Sequence, residues 1–385
     1  MSASKWRNAM NTGLSAWPVR PLPLADAAAG LAPLAPLALP SGLGAGQQGW
    51  GALWARLQWR HALVLAALLL MPLLLSPFLL YQVAAQSLIF GLIALSLSFL
   101  AGYGGMVSLA QMSVAGMAGY AVAVLGASGT ASSLGWPWWA VLPVALLVAM
   151  LGSTLIGWLS VRTDGIYTIM ITLAIGVAFY YLVLQNYTVF NGFQGFQKVY
   201  PPVMGGLNWR SPVPFYFLAL FWALAGYFFI QWLVRTPFGI ALQGIRDNPR
   251  RMNSLGFNVT AHRVAAYAVS GLLAAVGGVL LVWYNGLITP GSVGTGWLIN
   301  VLVMAVLGGT KHPIGAFLGA IVFVLLQTFA IDVIDRERFN LVIGGVFLAI
   351  VLFSPDGLLG LWAKLRFRLS PRQANSSLTP RRRSL

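Results

Sequence analysis

The sequence predicts an all-α protein: a polytopic transmembrane helical bundle of about ten spans with both termini in the cytoplasm. Composition is the first indication, because 58% of the 385 residues are hydrophobic and only 8% are charged. An ordinary soluble domain carries about 25% charged residues, so lipid is the better solvent for this chain. The apolar runs also lack an alternation with a period of two, which favours helices over a membrane barrel.

Ten apolar stretches define the predicted spans, since about twenty apolar residues carry a helix across the bilayer core. They are His61–Tyr81, Val83–Leu100, Met112–Gly126, Trp136–Ser160, Ile166–Asn186, Val213–Leu233, Val264–Tyr284, Thr295–Gly309, Pro313–Ile331 and Phe339–Ser354. The third and eighth stretches are short, and the glycines at their edges would either extend them or mark a broken helix.

Three regions follow from this pattern. Residues 1–60 are rich in Pro, Ala and Gly and are predicted to form a flexible cytoplasmic extension, because no unbroken apolar run makes them a signal peptide. Residues 61–362 form the transmembrane domain. Residues 363–385 form a basic cytoplasmic tail that ends in three consecutive arginines before Ser384 and Leu385.

The charge distribution supports this orientation. With the N-terminus inside, the 23 lysines and arginines lie in cytoplasmic segments except for Lys198, Arg210, Arg336 and Arg338. The positive-inside rule describes this bias. The net charge of +16 is therefore segregated into loops and ends, which argues against a nucleic-acid-binding face.

The predicted spans contain no Asp, Glu, Lys or Arg. Carriers driven by protons or sodium usually need such groups in the membrane, so this chain would draw its energy from another subunit or conduct passively. The sequence has no cysteine, no pair of histidines four residues apart and no paired membrane carboxylates, so we predict neither an enzyme nor a metal site. It also lacks a P-loop motif, so ATP would have to be bound by another polypeptide.

The longest internal polar segment, residues 235–263, reads RTPFGIALQGIRDNPRRMNSLGFNVTAHR. Thr236 before Pro237 and Asn248 before Pro249 are typical helix starts, and Gly256 is a typical left-handed helix stop. Two short capped helices are therefore predicted, and the second is too short to be stable without a partner surface. The simpler alternative is a basic loop that only sets the membrane orientation.

This segment resembles the cytoplasmic loop of the branched-chain amino-acid ABC transporter permease family. Gly239, Ala241, Leu242, residues 245–248 (IRDN) and Gly256 match the family pattern, whereas Ile240 replaces the usual Arg. Further matches follow in family order over about residues 85–360: residues 100–111 (LAGYGGMVSLAQ), 162–167 (RTDGIY), 306–309 (VLGG) and 355–358 (PDGL). The outer stretch departs from the family's T-G-G core at Asn191 and Phe193.

The resemblance implies a permease subunit of an ABC importer in the inner membrane of a bacterium. It implies as partners a second homologous permease, two cytoplasmic ATP-binding subunits and an extracytoplasmic solute-binding protein, with no cofactor of its own. The expected solute is small and neutral or zwitterionic, most simply a branched-chain or other neutral amino acid. A urea or short-chain amide ABC permease and a passive channel or facilitator remain alternatives.

Two sets of site residues follow. The ATPase-coupling loop comprises Thr236, Pro237, Gly239, Arg246, Asp247, Asn248, Pro249, Arg250, Arg251 and Gly256, and its arginines and Asp247 would make charge-assisted contacts with an ATPase. Candidates for the solute pathway are Ser108, Gln111, Ser113, Thr168, Thr172, Asn186, Thr188, Asn191, Asn300 and Gln327. Each of these polar side chains could instead form a hydrogen bond between helices.

Overall fold

The computed structural model describes residues 59–127, 133–202 and 208–333, with residues 344–345, 348 and 357–360 besides. Most of the predicted extension 1–60, most of the tenth predicted span and the tail 363–385 lie outside the described residues. By its contacts the chain divides into two units, Met1–Ala67 and Leu68–Leu385. In the first unit only the start of one helix is described, and the second unit holds everything that follows.

Residues 59–127, 133–202 and 208–333 form twelve helices and one two-stranded sheet. The helices are α1 Trp59–Leu74, α2 Pro77–Gly104, α3 Gln111–Leu125, α4 Trp138–Ser160, α5 Ile166–Gln185, α6 Tyr187–Phe190, α7 Pro212–Arg235, α8 Pro237–Asp247, α9 Pro249–Ser254, α10 Val259–Asn285, α11 Thr295–Gly308 and α12 Pro313–Val333. The strands β1 Phe196–Gln197 and β2 Leu287–Ile288 pair antiparallel. Short 3-10 turns occupy Gly192–Gln194 and Pro290–Val293.

Five of these helices, α2, α4, α5, α7 and α10, are long and apolar enough to cross a membrane. The pair α11 and α12 passes the same test together but bends by 118° between its halves, so the described part of the chain has up to six candidate spans. The apolar helix α3 is shorter than a span. The predicted all-helical membrane bundle is thus confirmed, while ten complete spans stay a prediction.

The boundary predicted between the first two spans was wrong. Residues 77–81 belong to α2, because α1 ends at Leu74 and the chain restarts at Pro77. The Ser76 hydroxyl accepts a hydrogen bond from the Leu79 N–H at 3.4 Å, and a proline is well suited to the first turn of a helix. A continuous apolar run hid this break, since hydropathy alone does not register a cap.

The helices α2 and α10 form the centre of the bundle. Within an apolar stretch of 18 residues in each helix, 78% of the residues of α2 and 67% of those of α10 are buried. The corresponding shares for α4, α5 and α7 are only 22–39%. Small residues allow the close approach: a Cβ on Gly278 would overlap the Ala115 backbone of α3, and one on Gly277 would overlap Ile93 of α2. The outer helices instead expose large apolar side chains such as Leu151, Met170 and Phe221, as a lipid-facing surface does.

The bundle has two distinguishable ends. At the basic end, the Arg246 side chain reaches Gly102, Gly102 packs against the Thr310 carbonyl group, and Arg263 pairs with Asp164. At the hairpin end, β1 pairs with β2 and the Arg210 guanidinium lies 4.3 Å from the centre of the Tyr200 ring. The four internal segments that the predicted spans leave on the cytoplasmic side, residues 101–111, 161–165, 234–263 and 310–312, therefore meet at one end, away from Lys198 and Arg210.

Candidate functional site

The helix α8 begins as the sequence predicts. The Thr236 side chain accepts a hydrogen bond from the Gly239 N–H at 3.4 Å, and Pro237 occupies the first helical position. One face of α8 is buried through Gly239, Ala241, Leu242 and Ile245. A Cβ on Gly239 would overlap the backbone of residues 233 and 234, so the family-like glycine lets α8 fold tightly back on the end of α7.

The short helix α9 is also confirmed. The Asn248 side chain accepts a hydrogen bond from the Arg251 N–H at 3.0 Å, and Gly256 has a φ of +88°. No residue of α9 is buried. A third cap, which the sequence reasoning missed, lies at Asn258, whose Oδ1 accepts the Ala261 N–H at 3.0 Å and starts α10. The signal was present, because an Asn followed by a helix-compatible run is a standard N-cap pattern.

Arg246 has internal partners. Its guanidinium donates to the Gly102 carbonyl oxygen at the end of α2 and to Asp247 Oδ1, the latter at 2.9 Å. Its aliphatic stem covers Gly105, where φ is +67° and a Cβ would lie 2.6 Å from Arg246 Cγ. Arg246 therefore joins the α8 helix to the turn that follows α2.

Arg250 and Arg251 differ from Arg246. Both are exposed, and neither takes part in an ion pair within the described part of the chain. Exposed apolar side chains accompany them, since Ile240 is 62% and Leu255 67% exposed. The α8–α9 segment thus exposes both basic and apolar side chains at the basic end.

Five of the ten pathway candidates come together in a buried polar layer, defined as Ser96, Ser108, Gln111, Ser113, Thr168, Thr172 and Ser270. All seven are at most 5% exposed. The Ser96 hydroxyl donates to Gln111 Oε1 at 3.1 Å, and the Ser270 hydroxyl donates to the Ser96 carbonyl oxygen at 2.9 Å. Ser96 and Ser270 were missed, because a lone serine within an apolar helix has no local signal for its partner.

Irregular backbone enters the bundle at this layer. Ser96 lies about 12 Å before the end of α2 at 1.5 Å per residue, so its bond to Gln111 places the start of α3 at that depth. Residues 105–110 between the helices are not helical, and Ser108, Leu109 and Ala110 are buried. The Leu109 N–H donates to Thr172 Oγ1 at 3.1 Å. Non-helical backbone at membrane depth is tolerated where protein surrounds it or where it lines a cavity.

Tyr267 of α10 also lies in this region. Its side chain is buried, and the hydroxyls of Ser108 and Ser160 lie beside its own hydroxyl.

The other five candidates lie elsewhere. Asn186 caps α6 through the Val189 N–H, Thr188 is exposed, and Asn191 holds a left-handed turn by donating to the Gly195 carbonyl oxygen at 2.7 Å. All three are at the hairpin end. No hydrogen bond of the described residues connects Asn300 or Gln327 to the polar layer, and Gln327 Oε1 is buried without a partner there.

No group of three or more His, Cys, Asp or Glu side chains comes together in the described ranges.

The long apolar helices, their exposed apolar side chains and the confinement of charge to the loops define a multi-pass membrane protein. Residues 79–351 match the family described as "Branched-chain amino acid transport system / permease component", and the chain belongs to that family. Among curated relatives, it is 25% identical to the "High-affinity branched-chain amino acid transport system permease protein LivM" of Salmonella typhimurium over 301 residues, or 72% of this chain and 69% of the relative. LivM of Escherichia coli matches with the same figures.

More distant relatives carry other names. The chain is 24% identical to the "Ribose import permease protein RbsC" of Haemophilus influenzae over 242 residues, or 59% of this chain and 71% of that protein. No solved structure matches the chain.

Proposed function

We propose that this chain is the membrane-spanning permease subunit of an ABC importer in the inner membrane of a bacterium. It moves a small neutral or zwitterionic solute inward while separate subunits hydrolyse ATP. The α8–α9 segment carries the proposal: two capped helices present Arg250, Arg251, Ile240 and Leu255 outward, and Arg246 ties them to the end of α2. A basic loop that only sets the membrane orientation would need the positive charges, but it would not need two capped helices.

Orientation follows from charge. Between residues 68 and 333, the basic end collects Arg162, Asp164, Asp247, Lys311 and the arginines of the 235–263 segment, whereas the hairpin end has Lys198 and Arg210. The positive-inside rule makes the basic end cytoplasmic. Ten spans and two cytoplasmic termini remain part of the proposal.

Coupling then runs from the ATPases to the polar layer. Two ATP-binding subunits that close on ATP would move α8, and Arg246 would pass that movement to Gly102 and to residues 105–110. These residues lead directly to Ser108, Gln111 and Thr172. ATP can drive the change only through different affinities for the two states of the complex. A second homologous permease and an extracytoplasmic solute-binding protein complete the proposed assembly.

The solute is proposed to be a branched-chain or other neutral amino acid, as the names of the LivM relatives suggest. The uncharged polar layer suits a solute without net charge, but it would also suit urea or a short-chain amide. Because one relative is named as a ribose permease, ribose is included among the solutes to be tested. A passive facilitator is the other alternative. It would need no ATPase, so it would not explain the two capped helices α8 and α9.

The test is ATP-dependent uptake by the co-purified complex in proteoliposomes, with leucine, isoleucine, valine, urea, acetamide and ribose as solutes. The decisive variant is Arg250→Gln with Arg251→Gln. Its matched control is Arg162→Gln with Arg235→Gln, which removes the same charge from the same end outside α8–α9. At about 0.5–1 kcal/mol for each of the two exposed charge contacts, uptake should fall about five- to thirtyfold in the first variant only. Flux without ATP that ignores both variants would identify a facilitator instead.

A further inference from the structure

A cavity of about 450 Å³ opens at the hairpin end, where α2 and α7 begin and α10 ends. Phe78, Tyr81, Gln82, Arg210 and Trp283 are among its lining residues. Binding sites for small molecules typically enclose about 300–1,000 Å³, with apolar walls and a few polar groups. This cavity is distinct from the buried polar layer, which lies toward the basic end.

Its aromatic wall is fixed by hydrogen bonds. The rings of Tyr81 and Tyr284 stack with their centres 4.6 Å apart, and the Tyr81 hydroxyl donates to the Tyr284 carbonyl oxygen at 2.7 Å. The Tyr284 hydroxyl donates to Gln82 Oε1 at 3.0 Å. Phe215 packs against both rings, with centres 5.5 Å and 6.0 Å away. Such a wall is preorganised, so a ligand would not have to order it.

Among the described residues that line the cavity, only Arg210 is charged. Its guanidinium stacks over Tyr200 at 4.3 Å, and Tyr200 in turn packs against Gly286 beside β2. No ion pair involves Arg210 within the described ranges. A stacked guanidinium keeps its N–H groups free in one plane, which is the geometry that binds a carboxylate through two hydrogen bonds.

We infer that this cavity is an outer binding site for the transported solute, in which Arg210 binds a carboxylate and the aromatic wall receives an apolar side chain. The inference rests on the proposed function and narrows its substrate class to amino acids with apolar side chains. Ribose, urea and short amides have no carboxylate and could not form the charge-assisted pair of hydrogen bonds with Arg210. A lipid phosphate shares the anionic chemistry, so the experiment separates the two sources.

The experiment measures equilibrium binding of radiolabelled L-leucine, L-isoleucine and L-valine to the intact complex, without the solute-binding protein, in nanodiscs of zwitterionic lipid. The variants are Arg210→Gln and Arg210→Lys. Lys198→Gln is the matched control, since it removes one charge from the same end and does not line the cavity. Competition by L-leucinol, which lacks the carboxylate, tests the ligand group itself.

The expected result is a Kd about tenfold weaker in Arg210→Gln, partly regained in Arg210→Lys and unchanged in Lys198→Gln. L-leucinol should compete at least about tenfold less well than L-leucine. Equal competition by leucinol, or unchanged binding in Arg210→Gln, would overturn the inference. It would also fall if anionic lipid added to the nanodiscs displaced leucine from the wild type but not from Arg210→Gln, because the site would then belong to lipid.

A further measurement distinguishes this site from the importer function. If the wild type imports an amino acid with ATP but binds none of the three at the cavity, the outer site is wrong and the importer stands. If no ATP-dependent uptake of any solute occurs, the proposed function itself fails. Weaker association of the solute-binding protein in Arg210→Gln, with unchanged leucine binding, would assign Arg210 to that protein contact and overturn the solute site.

Discussion

The Arg246 guanidinium donates a hydrogen bond to the carbonyl oxygen of Gly102, 144 residues earlier in the chain. Gly102 lies in the last turn of α2, where helix carbonyl groups lack intrahelical partners and a cation is favourable. The same side chain pairs with Asp247 at 2.9 Å. A short polar helix outside the bundle is thereby attached to the most buried helix within it.

Replacing Arg246 should therefore uncouple transport from ATP hydrolysis. In Arg246→Gln we expect ATP-dependent uptake to fall about fivefold while ATP hydrolysis by the complex persists. The variant loses about 1 kcal/mol of interaction between Arg246 and its partners Gly102 and Asp247. The measurement is the number of solutes moved per ATP hydrolysed. Arg162→Gln, at the same end but stacked on Trp158, is the control. An unchanged ratio in Arg246→Gln would contradict a coupling role.

Gly105 is the second half of the same contact. In Gly105→Ala, a Cβ at a φ of +67° would also meet the Arg246 stem at 2.6 Å. We expect a loss of about 1–2 kcal/mol, measured as a lower melting temperature of the purified protein. Gly296→Ala is the control, because nothing lies within 4 Å of a Cβ there. Equal melting temperatures of Gly105→Ala and Gly296→Ala would argue against the contact between Gly105 and the Arg246 side chain.

The cap at Asn248 should decide whether α9 is formed. Asn248→Ala removes the acceptor of the Arg251 N–H and should cost about 1 kcal/mol, enough to unfold a helix of six residues. Hydrogen exchange of the amides of residues 251–254 is the readout, with faster exchange expected. Asn248→Asp keeps an acceptor and should retain protection; if it exchanges as fast as Asn248→Ala, the cap is not what holds α9.

Thr172 should stabilise the entry of irregular backbone into the bundle. Thr172→Val keeps the shape but leaves the buried Leu109 N–H without its acceptor, at a cost of about 1–3 kcal/mol. Thr172→Ser retains the hydroxyl and should melt within about 1 kcal/mol of the wild type. Thermal unfolding in detergent compares the two. A Thr172→Val protein as stable as Thr172→Ser would mean that the Leu109 N–H finds another partner.

The natural absence of cysteine makes the orientation directly testable. Ser254→Cys, at the exposed end of α9, should react with an impermeant maleimide only when the reagent reaches the cytoplasmic face. Lys198→Cys should react from the opposite face. Intact cells and inside-out vesicles provide the comparison. Labelling of both residues from one face would overturn the assignment of the two ends.

The caps of α8 and α9 could be predicted because their partners are local. The Thr236 side chain bonds a backbone group three residues ahead, and so does the Asn248 side chain. Patterns of this kind are written in consecutive residues, as is the apolar length of a span. The start of α2 was missed despite a similar signal at Ser76 and Pro77, since the apolar run around it outweighed a single cap.

The sequence by itself determined the membrane class, the segregation of charge and the two capped helices, because each depends on composition or on neighbours along the chain. Only the tertiary structure decided that Ser270 bonds Ser96, that Arg246 holds Gly102 and that Arg210 faces an aromatic cavity. Ser270 and Ser96 lie 174 residues apart, and nothing local in either helix selects the other. Their pairing arises when α2 and α10 bury their faces together, and burial then requires each polar group to find whatever partner the packing provides.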